Sequence, residues 1–247
     1  LNLITYPSAT VEFFAFNANS TIMQNQKVRQ AIAYALNRDD FVTGIYMGNA
    51  TRLNNIMHSS NAYYADIDAI EYDVEKAKSL LAEAGYPNGF EMTIVTNTTA
   101  ESQAACTIAQ SALDAIGITV KVDVMENAAV TTTLSTGTGY DMCFSRWSGY
   151  AFGPDNGIRQ MLYTGGSNNY AHVSDAKMDE LIDNALTITD ETARKAAYKE
   201  IEEYSDELMY VYPVLVQNYT FVSGANVEGI VEPNGPIMNF RNVAAYK

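Results

Sequence analysis

The run Val28-Arg29-Gln30-Ala31-Ile32-Ala33-Tyr34-Ala35-Leu36-Asn37-Arg38-Asp39-Asp40-Phe41-Val42 holds the end of one helix and the start of the next. Val28, Ile32, Ala35 and Leu36 recur at helical spacing and form one apolar stripe. Asn37, Asp39 and Asp40 then interrupt it, and they offer oxygens to the free N–H groups of a second helix carrying Phe41, Val42, Ile45 and Tyr46. Two packed helices fit many α/β domains, so the segments that follow decide the fold.

Residues 73–90 read as a helix with a hard stop. Asp73 can cap it, Ala77, Leu80, Leu81 and Ala84 form its buried face, Gly85 suits a left-handed end, and Pro87 forbids continuation. Downstream the pattern alternates: strand 90–96, helix 100–116, strand 118–125, a short helix near 128–135, and strand 140–147. A strand at 11–17 precedes the helix pair of 27–47, and a polar connection, 49–68, follows it. Helices over 174–187 and 190–209 lead to strands at 210–217 and 219–223. This order predicts an α/β fold, a mixed sheet covered by helices, with the strands near 90–95, 118–124 and 142–147 in one sheet.

The chain has 247 residues, room for a substantial core. Lys and Arg number 15 against 29 Asp and Glu, a formal net charge of -14, which argues against nucleic acid and anionic membrane surfaces as partners. No apolar run reaches the length of a bilayer span, and Leu1-Asn2-Leu3-Ile4 is too short for a signal sequence. Cys106 falls in a helix pattern and Cys143 in a strand pattern, and nothing in the sequence pairs them. His58 and His172 stand alone, without metal spacing, so no metal and no cofactor is expected. The acids Asp179, Glu180, Glu200, Glu202, Glu203, Asp206 and Glu207 read as solvated helix faces. No G-x-S-x-G elbow, H-E-x-x-H pair or phosphate-binding glycine loop is present, so an enzyme is the least supported class.

Five segments, 28–42, 73–90, 115–122, 140–147 and 169–182, resemble in order the signatures of the peptide, nickel and oligosaccharide class of solute-binding proteins that serve ABC importers. The resemblance implies a type II periplasmic-binding-protein lobe spanning residues 1–247. It also implies hinge and lobe-crossing strands near 8–18 and 211–247 at a sheet edge, and an N-terminal lobe absent from this chain. The implied function is solute capture between two lobes, most readily of a peptide, and delivery to an ABC permease in the membrane. The implied location is extracytoplasmic, periplasmic or as a cell-surface lipoprotein. An oligosaccharide or other non-peptide solute is the alternative.

The same resemblance directs attention to the loop after residue 147. Trp147, Ser148, Gly149, Tyr150, Phe152 and Asp155 are the expected ligand-binding residues. Tyr150 stands where peptide binders offer an aspartate to the ligand ammonium, and Asp155, after Pro154, can alternatively cap a helix over 156–163. The arginine that dipeptide binders carry near the start of the helix at 100–116 is also missing: Glu101, Ser102 and Gln103 occupy that stretch. What remains is aromatic and neutral, a surface suited to a peptide main chain or a stacked sugar.

Overall fold

A computed structural model describes residues 1–57, 59, 61–148, 153–230 and 240–246. Its strands are β1 (Asn2–Phe16), β2 (Ala50–Arg52), β3 (Glu91–Asn97), β4 (Thr119–Met125), β5 (Met142–Trp147), β6 (Val211–Ser223), β7 (Val227–Glu228) and β8 (Ala244–Ala245). Its helices are α1 (Gln26–Ala35), α2 (Arg38–Tyr46), α3 (Val74–Glu83), α4 (Ala100–Asp114), α5 (Asn127–Thr136), α6 (Pro154–Leu162), α7 (Ala176–Thr187) and α8 (Glu191–Leu208).

Six strands make one mixed sheet in the order β2-β6-β1-β5-β3-β4, with β3 parallel to both β4 and β5, and β1 antiparallel to β5 and β6. The expected common sheet for β3, β4 and β5 is therefore present. Alternation along the strands divides the core into two layers. Phe14, Phe16, Ile94, Met142 and Phe144 face one layer with α1 to α4. Phe13, Ala15, Val95 and Cys143 face the other with α5 to α8.

Local chemistry sets the helix ends. The Asn37 side chain accepts from the Asp39 N–H at 3.1 Å, and Asp73 accepts from the Lys76 N–H at 2.9 Å, each supplying an acceptor to a first-turn amide. The two arginines of the opening motif serve backbone carbonyls distant in sequence. Arg29 is buried; its Nε and Nη2 donate to the Leu208 carbonyl at 2.9 and 2.6 Å, closing the carboxyl end of α8, and it stacks over Tyr210. Arg38 donates to the carbonyls of Pro213 and Ile70. Pro213 stands inside β6 where the register with β1 shifts, a bulge that tolerates a residue without an N–H.

Several expectations are corrected. β1 begins at Asn2 rather than at residue 11, and β6 is one strand, because residues 2–7 and 218–223 pair with one another beyond the helical layers. The inner halves of both strands are interior to the sheet, whose outermost strands are β2 and β4, whereas residues 2–7 and 218–223 pair only with one another and each keeps an open edge. The 49–68 connection contains β2, laid on β6. Glu202 is buried rather than solvated, and Asp206 is half-buried. Cys106 and Cys143, which the sequence left unpaired, are free and belong to opposite core layers. Among the described residues no helix is long and apolar enough to cross a membrane.

Candidate functional site

The carboxyl ends of the parallel strands β3 and β5 lie side by side, and the chain leaves them in opposite directions. From Asn97 it turns into α4 on one layer; from Trp147 it runs toward α6 on the other. Such a divergence opens a crevice beyond the strand ends, the usual ligand position in an open α/β sheet. Antiparallel β1 adds Val11 opposite Trp147 and Glu12 opposite Arg146.

Trp147 is half-buried against the α5 to α8 layer, and its indole Nε1 has no hydrogen-bond partner among the described residues. Ser148 follows it, also half-buried. Gly149, Tyr150 and Phe152 lie outside the described residues, as does His58. Asp155 is described and already committed: Arg194 Nη2 and the Tyr198 hydroxyl of α8 both donate to its carboxylate. Gly153, not Asp155, occupies the cap position of α6, which corrects the capping expectation. Asp155 thus ties the start of α6, and with it the end of the loop, to α8.

Sequence reasoning missed the cation at this place. Arg146, the residue before Trp147, reaches the amino end of α4, where its Nη2 donates to Thr99 Oγ1 at 3.0 Å. Its Nη1 lies 3.9 Å from the Glu12 carboxylate, with the arginine side chain 30% exposed and the glutamate side chain 1%. The stretch that lacks an arginine in sequence therefore has one in space, delivered from the next strand. Only the strand register could have signalled it.

Glu12 receives the Tyr46 hydroxyl at 2.6 Å, while its Oε2 has no partner among the described residues. Burial raises its pKa above the ordinary carboxylate value; the Tyr46 hydrogen bond and the Arg146 charge oppose this, and Glu101 reinforces it. The Tyr46 phenol is held protonated well above its ordinary range by burial and by its bond to Glu12. The result is a half-exposed cation beside a buried acid near the carboxyl ends of β3 and β5.

At the opposite end of β3 and β5, a polar groove of ≈ 690 Å³ is lined by residues including Asn17, Ser20, Thr93 and Asp141. Its polar groups bond one another: Asp141 takes the Ser20 hydroxyl and the Thr93 N–H, and Asn17 donates to the Gly137 and Tyr140 carbonyls. His172 is a loop residue whose Nε2 meets the Leu134 carbonyl at 2.7 Å. Among the described residues no group of three or more His, Cys, Asp or Glu is placed to hold a metal ion.

The chain is 31% identical over 212 residues to heme-binding protein A of Haemophilus influenzae, covering 82% of this chain and 38% of that protein. It is 29% identical over 212 residues to a glutathione-binding protein of Pectobacterium atrosepticum, covering 82% of this chain and 41% of the relative. Among solved structures, HbpA2 from Haemophilus parasuis superposes with a TM-score of 0.92 at 25% identity, over all of this chain and 50% of that one. DppA from Helicobacter pylori, in complex with the peptide STSA, superposes at 0.82 with 28% identity, over 100% of this chain and 49% of that one. The chain spans about half the length or less of these proteins. The family model described as bacterial extracellular solute-binding proteins, family 5 middle, matches residues 1–169. The chain therefore belongs to family 5 of the bacterial extracellular solute-binding proteins.

Proposed function

We propose that this chain forms one wall of a solute-binding cleft serving an ABC importer, with a peptide as the solute and a membrane permease as the receiving partner. The observation that carries the reading is the divergence of the chain at the carboxyl ends of β3 and β5, where Arg146 reaches the start of α4 and Trp147 packs on the opposite layer. A second lobe closes the cleft in this reading. The paired extensions of β1 and β6 support it: they run beyond the helical layers and expose Leu3 and Val222. Ligand binds between the open lobes, the crossing strands flex, and the closed form docks on the permease. No bond is made or broken. Periplasmic or lipid-anchored placement at the cell surface follows from that role.

Within the cleft, Trp147, Ser148, Gly149, Tyr150 and Phe152 contribute aromatic and backbone contacts, and Arg146 supplies the cation for a solute carboxylate. Asp155 acts indirectly, by fixing the end of the loop. Tyr150, in place of an acid, favours a second reading, a solute without a free ammonium; one relative named for heme and one for glutathione fit a family with varied solutes. Native mass spectrometry of the parent protein, purified without denaturation, separates the two. A co-purifying peptide supports the first reading, and a non-peptide solute replaces it with the second.

A further inference from the structure

Away from the crevice, Glu202 of α8 and Asn55 of the 53–67 connection are buried together, at 1% and 3% exposure. The orientation of the Asn55 amide is set by its neighbour. Its Nδ2 donates to the Ala65 carbonyl at 2.7 Å, so reversing the amide would put oxygen against oxygen. Nδ2 also donates to Glu202 Oε2, at 3.3 Å. Two acceptors then remain without a donor, Asn55 Oδ1 and Glu202 Oε1. Both residues line one cavity of ≈ 10 Å³, space for roughly a single water.

A buried acceptor without a donor is costly, and here two occur on one amide–carboxyl pair. A proton on Glu202 Oε1 turns one of these two acceptors into a donor beside the same small cavity that Asn55 lines, while Oε2 goes on accepting from Nδ2. We infer that Glu202 is a neutral acid in the folded protein and that its proton latches the 53–67 connection onto α8.

The surroundings favour that state. Glu203 on the same helix repels a charge at Glu202, Asp206 one turn on lines the same cavity, and Tyr64 and Asp66 come from the connection. Arg38 of α2 acts on Asp206, which burial raises to about 6. Burial pushes Glu202 up to about 9, with the N–H groups of Ala65 and Met57 pulling it down. The folded form thus holds a proton that the opened form releases above the ordinary value of 4.5. The latch is complete below that value and weakens as pH rises toward about 9.

Hydrogen exchange of the 53–67 segment in the intact protein, corrected for intrinsic rates, tests this against Glu202→Gln. Wild-type protection should fall by up to about tenfold per pH unit between about pH 7 and 9. Glu202→Gln should be flat, since its amide N–H₂ replaces the acid O–H. Infrared spectra should contain a protonated-acid carbonyl band in the wild type that titrates away over the same range, a readout independent of how the variant folds. Absence of that band overturns the inference, as do matching pH profiles of the two proteins. Protection that depends on added potassium or calcium ions overturns it too, because the two oxygens would then share a cation.

Discussion

In the proposed cleft, Arg146 is the residue on which recognition of a solute carboxylate turns. Its guanidinium is held on one side by Thr99 and balanced on the other by Glu12, and it remains 30% exposed, so it is oriented without being used up. A charge-assisted hydrogen bond to a solute carboxylate is worth about 1.5–3 kcal/mol. Arg146→Ala should therefore weaken binding of a peptide with a free C-terminus by about 10- to 100-fold, and the loss should shrink when the peptide is C-terminally amidated. Calorimetry with the two peptides on the two proteins checks this; an equal loss with both would show that Arg146 acts on the fold and not on the carboxylate. The sequence displayed Arg146 but not its place, because a cation that moves from a helix start to the adjacent strand end is visible only once the strands are in register. Asp155 is the converse case. It matched a ligand-loop pattern, yet its carboxylate is occupied by Arg194 and Tyr198, partners 39 and 43 residues away that no local reading could supply.

The elements themselves were largely legible where burial on one face imposes a period. α1 to α4 and β3 to β5 follow the apolar spacing and the caps at Asn37 and Asp73 closely, while the Thr99 cap of α4 was not read from the sequence. The misreadings fall where that constraint relaxes. The outer halves of β1 and β6 are half-exposed or exposed along most of their length, so no alternation marks them, and β2 is a three-residue edge held by its backbone bonds to β6. Glu202 was misplaced because an acid among Glu200, Glu203 and Glu207 was read as solvated, although it falls in the stripe with Tyr198, Ile201 and Ser205 that α8 buries and there meets Asn55. Where two turns cross, the constraint is steric. Gly89, at φ +75°, enters β3 against the turn that enters β4, and a Cβ there would lie 1.7 Å from the Gly117 carbonyl oxygen. Backbone cannot yield as a flexible side chain does, so Gly89→Ala should destabilise the protein by about 2–4 kcal/mol, combining left-handed strain with displacement of the β3–β4 pair. Gly85, at φ +91° with open space around it, isolates the conformational part alone, about 1 kcal/mol. Urea denaturation of both variants measures the difference; equal midpoints would remove the crossing from the account.

At the scale of the whole molecule, the outer halves of β1 and β6 run out past the same end of the sheet at which β3 and β5 stop, beyond the Val11–Trp147 pair. β1 belongs to both features: through Glu12 it contacts the crevice, and through residues 2–7 it runs out beside β6. Motion of that strand pair and occupancy of the crevice are thereby mechanically linked in the proposed two-lobed protein, which is what capture by closure requires. A single wall lacks the contacts and the exclusion of water that the opposite wall adds, so its affinity must be lower. Calorimetric titration of one peptide into the two-lobed parent protein and into this chain alone is the most direct test. Saturable binding to the parent, with at least about tenfold weaker binding to the chain, about 1.4 kcal/mol or more, is the expected result. Equal affinity for the two would contradict it, because the site would then be complete without a second lobe.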